Sequence, residues 1–351
     1  MKKLLYSLSA VLILFTACKK GDDYLPPDFN YEIPNVPVTE DINLGAYYYH
    51  YSATDWSKKY SDTPVLGEYS ALDAQVMSQH RQWADQGGIN FFIFNWNGAS
   101  AGDPLLNSFI GGRSEQVKMV INYNVAHLKA TNASPLADAK LNTMIDEIKT
   151  LAAEHFDKDY YFKMNGQPVV IITALNLSSN AASSIDYPMV MSSLRSALTA
   201  SGIDPYFIGE INSGWLPPQR YDVSVKAMDG VVLNNWSTNN YDRYIFFPSY
   251  SDMNWQNWKD STTAWGSVDY IPCVFPGFND KTMTPTSKNY DIERTEEFYT
   301  DYANVAKRNM SDNKLVFINS WNHFQWGTAI EPAIEYGETF LDLTRKQFKK
   351  P

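Results

Sequence analysis

Eight times between residues 44 and 318 a short apolar run turns polar or aromatic at its C-terminal end: residues 44–51, 89–96, 118–124, 167–175, 205–212, 230–236, 270–275 and 315–318. Runs of four to eight apolar residues without helical spacing predict strands covered on both faces. Between them lie segments with an apolar residue every three or four positions. The clearest are 69–86, 135–156, 187–200 and 292–309, and Leu141, Met144, Ile145, Ile148, Leu151 and Ala152 set the period in the second. Gly87-Gly88 ends the first. Residues 103–109 predict a short helix or turn, 217–227 a less regular crossover, and 240–265 a connection that is helical for part of its length.

Strands alternating with helix-length connections fit a closed (β/α)8 barrel (a TIM barrel) or an open doubly wound sheet. Closure leaves no edge strand bare. The Gly-rich fingerprint of a dinucleotide-binding open sheet is missing after the first strand. The α/β reading is therefore a single barrel over residues 41–351, with no composition break to divide it.

The start of the chain has a different pattern. Lys2 and Lys3 precede an apolar segment around Leu12 to Phe15, and Thr16-Ala17 lead to Cys18. That arrangement reads as an export signal over residues 1–17, too short to span a membrane. The cysteine directly after it resembles a bacterial lipoprotein signal, with Cys18 as the lipidated first residue. Residues 18–40, rich in Asp, Pro, Asn and Tyr, then read as a flexible tether. The expected location is an exported lipoprotein at the outer membrane or cell surface, or facing the periplasm, with a lipid anchor as its only membrane contact.

Without Lys2 and Lys3 the balance is 27 basic against 39 acidic side chains, a net charge of −12. That argues against a nucleic-acid partner or an anionic membrane surface. Only Cys273 remains as a thiol, inside a predicted strand, which reads as an inert core residue. His80, His127 and His155 show no ligand spacing, and neither an HExxH motif nor a calcium loop is present. No cofactor and no metal are expected.

In a barrel the C-terminal strand ends form the active face. There the register places Tyr49, His50, Tyr51, Asn95, Trp96, Asn97, Asn122, Tyr123, Asn124, Asn176, Glu210, Asn212, Asn234, Asn235, Trp236, Asn279, Asp280, Trp321, Asn322, His323 and Trp326. Aromatic faces and amides with few charges suit a neutral oligo- or polysaccharide and not a phosphate. The chain holds 10 Trp, 23 Tyr and 18 Phe, so most aromatics simply pack; Trp83, Trp255, Trp258 and Trp265 read as filler between helices and barrel. The expected substrate-binding set is Tyr49, His50, Trp96, Asn124, Asn212, Asn235, Trp236, Trp321, Asn322 and Trp326. His50 and His323, on strands that adjoin on closure, are expected to share a hydrogen-bond network.

The segment Trp321-Asn322-His323-Phe324-Gln325-Trp326-Gly327-Thr328-Ala329-Ile330-Glu331-Pro332 resembles the WNEWxEGTxIEP signature of glycoside hydrolase family 99, the endo-α-mannosidases and endo-α-mannanases, and of the related WbsX-like and family 71 proteins. Weaker matches fall in the family's order at residues 45–51, 88–98, 166–170 and 276–280. The resemblance implies a (β/α)8 barrel, activity on α-linked glycans, and often a surface lipoprotein of gut-type bacteria. It also implies acid/base carboxylates at two positions held here by His323 and Trp326.

Glycoside hydrolysis needs two placed acidic groups or a defined substitute, so two readings stand. In the first the catalytic set has moved: Glu210 leads as general acid, because burial at the end of an apolar strand raises a carboxyl pKa. Asp280, Glu331 and Glu68 are its candidate partners and His323 a base or orienter. Glu331 could equally brace its loop, and Glu68 cap the helix beginning near Tyr69. In the second reading the barrel keeps its sugar site without turnover and serves as a glycan-binding surface protein. A surface subunit without a ligand is a third possibility, with the strand ends covered by their own loops.

Overall fold

The computed structural model describes residues 29–98, 103–174, 184–212, 215, 217–234, 237–266 and 268–351. The signal at 1–17 and Cys18 lie outside them, as do Asn176, Asn235 and Trp236.

Eight parallel strands run in order round one barrel: β1 Asn43–Tyr48, β2 Phe91–Trp96, β3 Lys118–Asn124, β4 Gln167–Ala174, β5 Tyr206–Ile211, β6 Gly230–Leu233, β7 and β8 Leu315–Ile318. β7 is split into Asp269–Ile271 and Cys273–Val274 by Pro272, which has no amide hydrogen for the ladder. Its first half pairs with β6 and its second with β8, and β8 pairs with β1, so the ring closes through the split strand. The closed barrel expected from the alternation is the fold found.

Each strand is followed by a helix: α1 Ala74–Gln86, α2 Asp103–Ile110, α3 Asp138–Leu151, α4 Tyr187–Thr199, α5 Asp222–Val225, α6 Ser249–Trp265, α7 Glu296–Asn309 and α8 Thr339–Phe348. α1 starts later than its apolar pattern implied. The Asp73 carboxylate accepts from the Gln75 and Val76 amides and caps it there, leaving Leu72 exposed outside the helix. Glu68 is no cap; on the surface it accepts from the Tyr60 hydroxyl at 3.1 Å. α8, unforeseen in the pattern, packs Phe340, Leu341 and Phe348 against the body and completes the helical layer.

Strand periodicity divides the core in two. One set, among them Tyr47, Phe91, Ile93, Val120, Ile171, Ile208, Val232, Cys273 and Phe317, fills the barrel interior. The alternate set, among them Tyr48, Phe92, Phe94, Trp96, Ile121 and Tyr123, packs under the helices. At the base of the interior Phe91 stacks on Phe162 with centroids 4.2 Å apart and meets Phe317 edge-on at 5.9 Å. Gly45 makes room for this plug, since a Cβ there would stand 2.2 Å from the Phe91 ring. With aromatics blocking the bottom, the interior opens only toward the C-terminal strand ends.

Residues 29–40, the described part of the stretch read as a tether, lie against the barrel. They run over the outside of the barrel: the Tyr31 hydroxyl donates to Asp252 at 2.8 Å, and the Lys307 ammonium donates to the Val36 carbonyl at 2.7 Å. These part-buried hydrogen bonds to α6 and α7 hold the segment at the surface. Among the described residues no helix is long and apolar enough to cross a membrane.

Candidate functional site

A cavity of about 630 Å³ opens at the C-terminal strand ends, within the range of small-molecule sites. Each strand supplies it with inward-facing positions. β1 and the residues after it give Tyr47, Tyr49 and His50; β2 gives Ile93 and Asn95; β3 gives Asn122 and Asn124; β4 gives Thr173; β5 gives Glu210 with Asn212 beyond it. Asn234 follows β6, Phe278 and Asp280 follow β7, and Trp326 follows β8. Amide and hydroxyl groups alternate with ring faces around the wall.

Glu210 is only 3% exposed. Its Oε2 accepts from the Tyr47 hydroxyl at 2.6 Å and from Asn122 Nδ2 at 3.2 Å, and Asn234 donates to the same carboxylate. These donors are neutral. Burial raises the carboxyl above the ordinary glutamate value, and the three hydrogen bonds offset that only in part. Asn122 is itself held by the Thr173 hydroxyl, and Asn234 Oδ1 accepts from Asn319 at 2.6 Å, so the base of the cavity is a fixed polar network. Cys273 lies in that network as a buried thiol whose pKa burial pushes well up, as an inert core cysteine requires.

Asp280 is the second carboxylate in the wall. Its Oδ2 accepts from Ser287 Oγ and Asn289 Nδ2, both at 2.7 Å, while Oδ1 is buried without a partner. An unpaired buried acceptor is costly unless a ligand or water completes it.

Several expected site residues lie elsewhere. Trp96 and Trp321 are buried in the layer under the helices, Trp96 against Tyr123 and Trp321 against Phe92 and His80. Trp96 belongs to the strand face opposite Asn95, and the turn after β8 carries Trp321 outward. Asn322 is fully buried: its amide clamps the Tyr49 backbone from both sides, at 2.7 and 3.0 Å, and it donates to the Tyr69 hydroxyl at 3.0 Å. Glu331 is fully buried behind the strands, accepting from the Tyr69 hydroxyl at 2.7 Å and pairing with His80 Nε2 at 3.1 Å. It braces the loop and does not reach the cavity. Glu68 does not line it either.

His323 stands behind the wall. Its ring stacks on Trp326 at 4.1 Å and meets Tyr49 edge-on at 4.1 Å. Its Nδ1 is buried without a partner, so the network expected with His50 does not run through that nitrogen. The geometry makes it a support for Tyr49 and Trp326 and not a base. Burial lowers its pKa from 6.5 to about 3, so the ring is neutral at working pH. A histidine depressed in this way contributes stability that is fully present above pH 6.5 and is lost as pH falls toward 3. His323→Phe should remove this dependence. Between pH 6.5 and 5 the unfolding free energy of the native chain should fall more steeply than the variant's, by up to about 1.4 kcal/mol per pH unit. Parallel slopes in urea titrations would reject the buried neutral ring.

The strand-end reading identified Tyr49, His50, Asn124, Asn212, Glu210, Asp280 and Trp326 as site residues, and all seven line the cavity. It missed Tyr47, Thr173, Phe278 and Asn289. Tyr47 was legible from the two-residue period, since it shares a strand face with Tyr49. Asn289 had no signal, because only the folded loop brings it to Asp280. Among the described residues no three His, Cys, Asp or Glu side chains converge as a metal-binding group.

Comparison with known proteins bears on the same region. The model of Glycosyl hydrolase family 99 matches residues 41–346. A solved structure of a glycoside hydrolase-like protein is 27% identical, with 92% of this chain and 98% of that chain covered and a TM-score of 0.81. The GH99 endo-alpha-mannosidase from Bacteroides thetaiotaomicron, in complex with bis-tris-propane, is 18% identical over 88% of this chain and 97% of its own, with a TM-score of 0.62. Another structure of the enzyme from the same organism is 17% identical, with 89% and 100% covered and a TM-score of 0.62. At the last two identities the likeness is one of fold. No curated protein matches.

Proposed function

Because the chain belongs to glycosyl hydrolase family 99, we propose that its cavity takes an α-linked glycan, mannan-like or glucan-like, and hydrolyses it with a relocated pair of carboxylates. The observation that carries this reading is the pairing of Glu210, raised in pKa and held by neutral donors, with Asp280, whose Oδ1 lacks a partner, in one wall of amides and rings. Glu210 gives its proton to the glycosidic oxygen as the C–O bond breaks. Asp280, positioned by Ser287 and Asn289, is the second carboxylate: it takes a proton from the water whose oxygen bonds to the anomeric carbon, or bonds there itself in a glycosyl ester that water then cleaves. Tyr49 and Trp326 offer ring faces to the apolar side of a pyranose, and Asn95, Asn122, Asn124 and Asn212 offer donors and acceptors to its hydroxyls.

A second reading is binding without turnover. It is favoured by the stacked His323 and Trp326 rings, which stand where the family resemblance implies catalytic carboxylates. A screen of α-mannan and α-glucan oligosaccharides that measures binding and product together separates the two. Product with an inverted or retained anomeric centre supports hydrolysis. Saturable binding with no product over long incubation supports the second reading, and neither would overturn both.

The location we propose is the one expected from the first residues, an exported protein anchored through lipidated Cys18. The intact mass of the mature N-terminus tests it: a chain starting at an unmodified residue would refute the anchor.

A further inference from the structure

The loops after β6 and β7 carry aromatic residues at the surface that do not line the cavity. Tyr241 and Tyr244 sit on a short helix, Tyr241–Ile245, and are 59% and 37% exposed. Tyr290 comes from the other loop. Its ring stacks on Tyr244 with centroids 4.6 Å apart and planes 11° from parallel, and lies 6.0 Å from Tyr241. Two exposed rings of one loop are thus gathered with a half-buried ring of the other into one aromatic patch at the surface.

The cluster is held in place from beneath. Asn240 Oδ1 accepts from the Arg243 amide at 3.1 Å and caps the helix. The Arg243 guanidinium lies 5.2 Å from the Trp215 ring and 5.8 Å from Tyr250, anchoring the helix to the body. The Tyr290 amide donates to the Thr238 carbonyl at 2.8 Å and ties the two loops together. A fixed ring surface binds with little loss of conformational freedom.

The two loops that carry this surface also reach the cavity. Asn289, immediately before Tyr290, lines it and donates to Asp280; Ser237, immediately before Thr238, lines it as well. A chain-like ligand whose reacting part lies beside Asp280 has to leave over one part of the rim, and the loops on this side present flat apolar rings and phenol hydroxyls.

We propose that Tyr241, Tyr244 and Tyr290 form an outer sugar-binding platform for the glycan units that extend beyond the cavity. The inference rests on the glycan reading above and deepens it: the preferred ligand is an oligosaccharide chain, not a single sugar or a disaccharide. Ring stacking on one or two further sugars supplies the added affinity.

Calorimetry with α-linked manno- and gluco-oligosaccharides tests it, using disaccharides and hexasaccharides with the native chain, the Tyr241→Ala/Tyr244→Ala double variant and Tyr290→Ala. The native chain should bind its hexasaccharide ~10-fold more tightly than the disaccharide of the same linkage. Both variants should lose most of that preference while keeping the disaccharide affinity and the native thermal midpoint. A variant that keeps the full preference would overturn the platform, as would equal affinity for both lengths in the native chain or a parallel loss of disaccharide binding. A native chain that binds no oligosaccharide of either length would instead remove the glycan reading and the platform with it.

Discussion

Glu210→Gln is expected to remove turnover of the cleaved α-linked glycan, by ~10²- to 10⁴-fold, with binding nearly intact. The substitution keeps the shape of the side chain and an oxygen to accept from Tyr47 and Asn122, but has no proton to give a leaving oxygen. The native pH profile carries the complementary signature. Burial raises the Glu210 carboxyl, so the acid form persists further toward neutrality and the rate falls as pH rises through that raised value. Stability follows the same sign. The folded chain holds this proton more tightly than the unfolded chain, so the contribution is present at low pH and is lost as pH rises through the folded value. The substituted amide has no charge to bury, and the variant's thermal midpoint should fall less than the native one as pH rises above 4.5. Unchanged turnover would take Glu210 out of the chemistry, and a collapsed midpoint at every pH would make it a structural residue.

Glu331→Ala is expected to cost about 3–5 kcal/mol of stability, seen as a fall in thermal midpoint of the order of 10 °C. The carboxylate and His80 are both fully buried, and removing one partner leaves the other polar group without compensation. The damage should also reach the cavity. Glu331 holds the Tyr69 hydroxyl, Asn322 bonds to that hydroxyl and clamps the Tyr49 backbone, and Tyr49 lines the wall. Glycan affinity should therefore drop with stability in Glu331→Ala and recover in part in Glu331→Gln, which restores hydrogen-bonding groups at the same place. A midpoint within one or two degrees of native would show that the buried pair holds nothing together.

The cavity confirms how far a strand pattern can be read and where a simple extension of it fails. Taking the last residues of each run as site residues was sound for Asn124, Glu210 and Asn212, which line the cavity. It failed for Trp96, because successive strand residues face opposite ways and Trp96 shares its face with Phe92 and Phe94. The same alternation, applied to residues 45 to 49, points Tyr47 inward beside Glu210. Beyond a strand end the period no longer applies. Nothing local distinguishes Trp321, which turns into the helical layer, from Trp326, which turns into the cavity.

Charged residues were harder still. Glu68, Glu331 and Asp280 all occupy loops, where the sequence offers each a catalytic role and, for Glu331 and Glu68, a structural one as well. Folding separates them by burial and partner: Glu68 is a surface acceptor, Glu331 a fully buried brace, and Asp280 a wall residue with an open oxygen. His323 was a candidate base only while its surroundings were unknown, since burial between Tyr49 and Trp326 removes its readiness to take a proton.

What the sequence determined by itself is the set of eight strands alternating with helices, because strand and helix periods are local properties of the chain; the missing Gly-rich fingerprint favoured a barrel, and the pairing of the split β7 with β8 closed it. It also determined that the open end would be rich in amides and aromatic rings. The tertiary structure alone decided which of those groups share one space, since that depends on loop paths and on contacts between residues far apart in the chain, such as Tyr47 with Glu210 and His80 with Glu331. Burial, which sets the pKa of Glu210 and His323, is likewise a sum over neighbours from many strands and has no counterpart in any single segment.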